Sequence, residues 1–292
     1  MDAMPLGNQV ALITGANSGV GKETAVGLAA LGATTVLACR DAGKAAAAVA
    51  DVRGRTGNQA VDAVRVDLRD LESVERCGTE TLGRHGSVDI LVNNAGGYWD
   101  RRAVTAQGFE QHFGVNYLSH YVLTRRLLET QGGRAPRRIV SVTSLGHRAV
   151  HGMKWEDLQL EQGWTVSGAY GQSKLAQILF TRELARRFGD RGVIAHAAHP
   201  GSVRSGFGAD GDTHGLNRFV VHAIISITGV SPATAARTSI HLASSEAAGL
   251  ANGAYWARRK QRVPSKAARD ADAARSLWAV SEDLVVQAGL SL

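Results

Sequence analysis

The chain has 292 residues, 44% hydrophobic and 20% charged, the balance of a soluble globular protein with enough length to bury a large core. Its net charge of +7 sits in scattered clusters such as Arg101-Arg102, Arg125-Arg126, Arg137-Arg138 and Arg258-Arg259-Lys260, without the single basic stripe and interleaved aromatics of a nucleic-acid surface, so no nucleic-acid partner is expected. Cys39 and Cys77 define no disulfide framework, no stretch is apolar for the ~18 residues of a membrane span, and the first residues lack a basic segment followed by an apolar run. The expectation is a cytoplasmic protein without a membrane anchor.

Short apolar strands and amphipathic helices alternate along the chain. The pattern predicts a strand at 10–14, a helix at 21–31, a strand at 34–39 and an Ala-rich helix at 41–55. A strand at 61–67, a helix at 70–84, a strand at 88–93 and a long helix at 107–130 follow, then a strand at 138–143, a helix at 168–188 and a strand at 193–199. A last strand at 254–257 and a helix at 269–287, with Leu277, Val280 and Leu284 on one side, close the chain. Such alternation predicts an α/β fold: a doubly wound parallel sheet covered by helices on both faces, in one domain spanning 1–292.

The first strand runs into Thr14-Gly15-Ala16-Asn17-Ser18-Gly19-Val20-Gly21 and then a helix. Glycines there permit a tight turn and close backbone approach, and the helix N-terminus offers N–H groups to a pyrophosphate, so this strand–turn–helix reads as a dinucleotide site. An ordinary Gly-rich βα turn is the plain alternative. The second strand ends at Arg40, with Lys44 a helical turn on, where a guanidinium suits a 2′-phosphate. This favours NADP over NAD. Asp41 reads as the N-cap of the Ala-rich helix.

Polar or glycine-containing groups recur where later strands end: Asp67-Leu68, Asn93-Asn94-Ala95-Gly96, Thr143-Ser144 and His199-Pro200-Gly201. In an open parallel sheet these ends face one crevice. Along the long helix Phe109, Phe113, Asn116, His120, Leu123 and Leu127 share a face, which makes Asn116 a polar group on an apolar stripe. In Tyr170-Gly171-Gln172-Ser173-Lys174 the Tyr and Lys stand four apart on one helix face, so the Lys174 ammonium can favour a Tyr170 phenolate. His147 with His151, and His196 with His199, lack the further ligands of a metal site, and no metal is expected. The segment at 97–102 and one at 204–230, with the apolar run 219–225, are candidates for a substrate wall and lid.

Thr14-Gly15-x-x-x-Gly19-x-Gly21, Asn93-Asn94-Ala95-Gly96, Asn116, Ser144, Tyr170-x-x-x-Lys174 and Pro200-Gly201, in this order, resemble the short-chain dehydrogenase/reductase family. Gly15 to Thr24, Ala38-Cys39-Arg40-Asp41, Ser144 to Arg148 and Ser173-Lys174-Leu175-Ala176 are similar to its retinol dehydrogenase-like branch. The resemblance implies a Rossmann-type NADP-dependent oxidoreductase for a lipophilic alcohol and its ketone or aldehyde; a silent dinucleotide-binding sensor or scaffold is the alternative. It implies Tyr170 as general acid and base, Ser144 on the substrate oxygen, Lys174 on the nicotinamide ribose and Asn116 holding a water that links Lys174 to solvent. Asp67 and Leu68 would lie near adenine, and Asn94, Ala95 and Gly96 along the ribose and nicotinamide. Pro200, Gly201, Val203 and Ser205 would frame the nicotinamide, and the Gly-rich loop with Asn17, Ser18 and Val20 the pyrophosphate. A homodimer or homotetramer built on the long helix and the Tyr170 helix is also implied, and Leu175, Ile178, Leu179 and Phe180 surround more of that helix than one core face needs.

Overall fold

The computed structural model describes residues 5–130, 136–201 and 229–291. Its strands are β1 (Val10–Thr14), β2 (Thr34–Cys39), β3 (Val61–Arg65), β4 (Ile90–Asn93), β5 (Arg138–Val142), β6 (Ile194–His199), β7 (Tyr255–Ala257) and β8 (Lys260–Arg262). They form one sheet in the order β3-β2-β1-β4-β5-β6-β7-β8. Every pairing is parallel except β7 with β8. The order reverses between β1 and β4, and a crevice opens beyond the strand ends at such a reversal. Side chains alternate across the sheet: Leu12, Val36 and Leu91 enter one core, while Ile13, Leu37, Val92 and Ala198 enter the other. Burying each of the larger ones contributes about 1.5–3 kcal/mol.

One face is covered by α1 (Gly19–Ala30), α2 (Ala42–Thr56) and α7 (Pro232–Ser244), through Leu28, Val52 and Leu242. The other carries α3 (Leu71–His85), α4 (Gln111–Phe113), α5 (Ser119–Thr130), α6 (Val166–Phe188) and α8 (Ala271–Gln287). Asp41 caps α2 as expected, its carboxylate accepting from Lys44 N at 2.8 Å. Gly57, at φ 72°, ends that helix in the left-handed region.

Four expectations need correction. The helix expected at 107–130 begins at Gln111, because Thr105 to Gly108 form a turn and the Glu110 carboxylate caps Phe113 N at 2.9 Å. Between α4 and α5 the backbone opens into a π-helical turn, Gly114–Leu118, so the stripe through Asn116 is not one regular helix face. The sheet is not wholly parallel: β8 returns antiparallel through a turn in which Arg258 and Arg259 have φ of 52° and 58°. The buried face of α8 also differs, being Ala274, Leu277, Trp278, Ser281 and Val285. The expected lid at 204–230 falls mostly outside the described residues.

Candidate active site

The turn after β1 is shaped by backbone geometry. Gly15 and Gly19 adopt φ of 66° and 55°, a region that side chains with a Cβ rarely enter. A Cβ at Gly21 would stand 2.4 Å from the Gly15 carbonyl oxygen and 2.5 Å from Asn94 Nδ2, so the first turn of α1 closes against the loop after β4 only with glycine there. Asn94 Nδ2 donates to the Thr14 carbonyl at 2.8 Å, and Asn94 N and Ala95 N both donate to Thr14 Oγ1 at 3.0 Å. The expected phosphate loop and the expected ribose strip are thereby one unit. Ser18 stands at the N-cap position of α1 without capping it through its side chain, and Asn17 and Val20 complete the turn.

Arg40 and Lys44 are exposed just beyond β2. Leu68 is buried, and Asp67 accepts from Arg69 N at 3.0 Å, which holds the loop after β3 in shape. Gly201, at φ 91°, follows Pro200 at the end of β6. Val203 and Ser205 lie outside the described residues.

Ser144, just beyond β5, and Tyr170, in the first turns of α6, come together: a hydrogen bond joins the Ser144 hydroxyl and the Tyr170 phenol. Burial nevertheless pushes that phenol up to about 12, the Ser144 hydrogen bond opposing it and Tyr98 adding to it. Protein groups alone therefore keep Tyr170 protonated near neutrality, where the sequence suggested a lowered value. Lys174 Nζ lies 5.5 Å from the Tyr170 ring centroid. It is 4% exposed, and burial pushes it down to about 7.

Asn116 stands in the π-helical turn and ties three elements together. Its Oδ1 accepts from Gly97 N at 2.8 Å, and its Nδ2 donates to Gly97 O and to Ser173 Oγ, each at 3.1 Å. Ser173 Oγ in turn donates to the Tyr170 carbonyl at 2.8 Å. Between Asn116 and Lys174 stands Gln177. It accepts from Lys174 Nζ at 3.1 Å and donates to the Asn116 carbonyl at 2.7 Å, a direct side-chain link between the two residues that the resemblance connects through a water.

Sequence reading missed several contributors. Gly146 passes so close to Tyr170 that a Cβ would stand 2.7 Å from its ring. His147, fully buried, donates from Nδ1 to the Ser144 carbonyl at 2.6 Å and accepts at Nε2 from Ser265 N at 3.2 Å. It thus braces the Ser144 turn. The buried Glu110 carboxylate receives His112 Nδ1, Phe113 N and Trp164 Nε1 at 2.9, 2.9 and 3.2 Å. Those donors hold its carboxyl below the usual range despite burial. His112 accepts from Trp99 N at 3.0 Å, which fixes the loop whose Tyr98 ring meets Tyr170 edge-on at 5.2 Å. Only the 97–102 wall signalled this cluster, because Trp164 lies 54 residues from Glu110 and the Glu110–His112 pair carries no motif of its own. His196 bonds to the Ala248 carbonyl, away from His199. Among the described residues, no group of three or more His, Cys, Asp or Glu could hold a metal, and no helix is long and apolar enough to cross a membrane.

Comparison with known proteins agrees with this geometry. Human (Homo sapiens) retinol dehydrogenase 13 is 40% identical over 277 residues, covering 94% of this chain and 83% of the relative. Retinol dehydrogenase 12 of Mus musculus is 39% identical, covering 95% of this chain and 86% of the relative. The crystal structure of an uncharacterized protein from Mycobacterium paratuberculosis superimposes with a TM-score of 0.75 at 34% identity, covering 95% of this chain and 93% of that one. An actinorhodin polyketide ketoreductase solved with NADPH shares the fold, with a TM-score of 0.65 at 24% identity, covering 85% of this chain and 95% of its own. Residues 9–214 match the family described as short chain dehydrogenase. The chain therefore belongs to the short-chain dehydrogenase family, in its retinol dehydrogenase-like branch, as an oxidoreductase that acts on CH–OH groups with a dinucleotide cofactor.

Proposed function

We propose that the chain interconverts a lipophilic alcohol and its ketone or aldehyde with NADP(H), using Tyr170 as general acid and base. The observation that carries this reading is the meeting of Ser144, Tyr170 and Lys174 at the strand ends beside the glycine-lined turn after β1. The residues present fit a dinucleotide: a Cβ at Gly21 would close the cradle, Gly15 and Gly19 turn the backbone, and Arg40 with Lys44 offers cations for a 2′-phosphate. Asp67, Leu68, Asn94, Ala95, Gly96, Pro200 and Gly201 would line the rest of the molecule. When bound, the nicotinamide supplies or accepts the hydride at the substrate carbon.

The chain's own residues then handle the proton. Ser144 Oγ–H donates a hydrogen bond to the substrate carbonyl oxygen, and Tyr170 Oη releases its proton to that same oxygen, completing the alcohol. Oxidation runs the transfer backward, the phenolate taking the hydroxyl proton. A phenol kept protonated by burial is ready for the reductive direction at neutral pH. Lys174 stabilises negative charge as it develops on Tyr170, and the Tyr98 ring, with the aromatic cluster behind it, offers the apolar wall that a lipophilic substrate needs.

A homodimer or homotetramer remains what the resemblance implies. Its sequence argument weakens, since Leu175, Ile178, Leu179 and Phe180 are all buried within the chain. The test is NADPH and NADH oxidation with a panel of aromatic and aliphatic aldehydes and ketones. NADPH should be consumed in preference to NADH, Tyr170→Phe should lose about 10²–10⁴-fold, and Arg40→Ala should lower the NADPH preference about 10–100-fold. Fluorescence quenching or enhancement of NADPH without oxidation would instead establish the silent sensor.

A further inference from the structure

The polar side chains behind Lys174 have a complete donor and acceptor assignment. The Asn116 carbonyl can only accept, so Gln177 Nε2 at 2.7 Å and His120 Nδ1 at 3.1 Å are both donors to it. That orients the Gln177 amide with Oε1 toward Lys174 Nζ at 3.1 Å. His120 is fixed as the Nδ1–H tautomer, so its Nε2 accepts from Thr14 Oγ1 at 3.0 Å. Burial pushes His120 down to about 4, which keeps it neutral. Thr14 Oγ1 accepts Asn94 N and Ala95 N in turn. A hydrogen-bonded line therefore runs from Lys174 through Gln177, Asn116 and His120 to the loop after β4.

We propose that Gln177 is a positioning residue of the reaction centre, its amide tying the Lys174 ammonium to the Asn116 carbonyl and so fixing where Lys174 points. The inference rests on the reading of Lys174 and Tyr170 given above. Gln177 is 2% exposed and lies a helical turn beyond Lys174 on α6, with both ends of its amide used. Its Oε1 and the Val142 carbonyl, at 3.3 Å, take two of the three Nζ protons, which leaves one for a further acceptor and fixes the direction in which it is offered. The Asn116 carbonyl already serves two N–H donors, so a water joining it to Lys174 would have to displace one of them.

The partner chosen is also neutral. The titratable groups near Lys174 are Tyr170 on its own helix and neutral His120 on α5, while β5 brings the Val142 carbonyl and the loop after β4 brings Gly96. A carboxylate in place of the Gln177 amide would hold the lysine proton to higher pH, and an apolar side chain would release it at lower pH.

The chain contains six lysines, so Lys174 can be followed through its 13Cε resonance in lysine-labelled full-length protein and assigned with Lys174→Arg. The wild type should titrate near 7, Gln177→Glu at least about one pH unit higher, and Gln177→Leu lower. In turnover, Gln177→Leu should lower kcat at least about tenfold with KM little changed. Coincident Lys174 midpoints in wild type and folded Gln177→Glu would overturn the proposal, as would unchanged kcat in a folded Gln177→Leu. Should Gln177→Leu not fold, the near-isosteric Gln177→Glu decides alone. A shifted midpoint with no carbonyl reduced by any of the three proteins would leave Gln177 in place and remove the enzymatic reading instead.

Discussion

A lysine buried beside neutral acceptors costs the folded state free energy, because the ammonium gives up water for two carbonyl-type oxygens. For Lys174 the folded value is about 7 against an ordinary 10.5. Below 7 both folded and unfolded chains carry the proton and the whole cost is present. Between 7 and 10.5 the unfolded chain binds more protons, so this residue's contribution to stability rises with pH across that window. Lys174→Met should therefore be more stable at pH 6.5. A gain of about 2 kcal/mol is expected from replacing a buried charge by an apolar side chain of similar volume. That corresponds to roughly 4 °C in a chain of this size, shrinking as the pH approaches 10, while carbonyl reduction is lost. Thermal melts of the cofactor-free protein at pH 6.5 and 9.5 check this, and a lower Tm at both pH values would show that the Lys174 hydrogen bonds outweigh its desolvation.

The elements meet at the site through close approaches. Gly171 on α6 faces the Gly146 carbonyl, from which a Cβ would stand 3.0 Å, and a Cβ on Gly146 would come within 2.7 Å of Tyr170 Cε1 and 2.9 Å of Cδ1. Gly146→Ala should thus displace the Tyr170 ring from Ser144. The expected outcome is a folded protein destabilised by about 1–3 kcal/mol, with kcat reduced far more than NADPH affinity. Equal kcat in variant and wild type would mean that the turn yields without moving Tyr170. Much of this arrangement is legible in the sequence: strand–helix alternation gives the order of the elements, and Asn94 and Ser144 stand just beyond β4 and β5 as the strand pattern implies. The π-helical turn is not, because Phe113 through Ser119 are buried all round and leave no polar face to betray an extra residue in the turn. Nor is β8. Its residues Lys260, Gln261 and Arg262 lack apolar alternation, and its tight turn uses Arg258-Arg259 where Asn-Gly would have signalled a hairpin.

Across the whole molecule, α8 acts as the outer wall behind the site. Trp278, 2% exposed, stacks on Phe180 of α6 at 5.9 Å and meets Tyr121 of α5 edge-on at 5.2 Å. The guanidinium groups of Arg125 and Arg187 lie over its ring at 5.1 and 4.7 Å. Beside it Ser281 Oγ and Tyr117 Oη share a hydrogen bond of 2.6 Å, and Glu282 pairs with Arg125 at 2.6 Å. Tyr117 follows Asn116 in the π-helical turn, so the last helix of the chain packs directly against the segment that holds the site together. The same packing covers the aromatic face of α5 and α6, and a dimer formed through that face would have to displace α8. Trp278→Ala should cost about 3–5 kcal/mol and uncover Tyr121 and Phe180. Its Tm should fall, and light scattering should show self-association that the wild type does not make through this surface. If the variant kept both the Tm and the mass of the wild type, Trp278 would be dispensable to the fold and its contacts with Tyr121 and Phe180 would not be what keeps a second copy of the chain off this face.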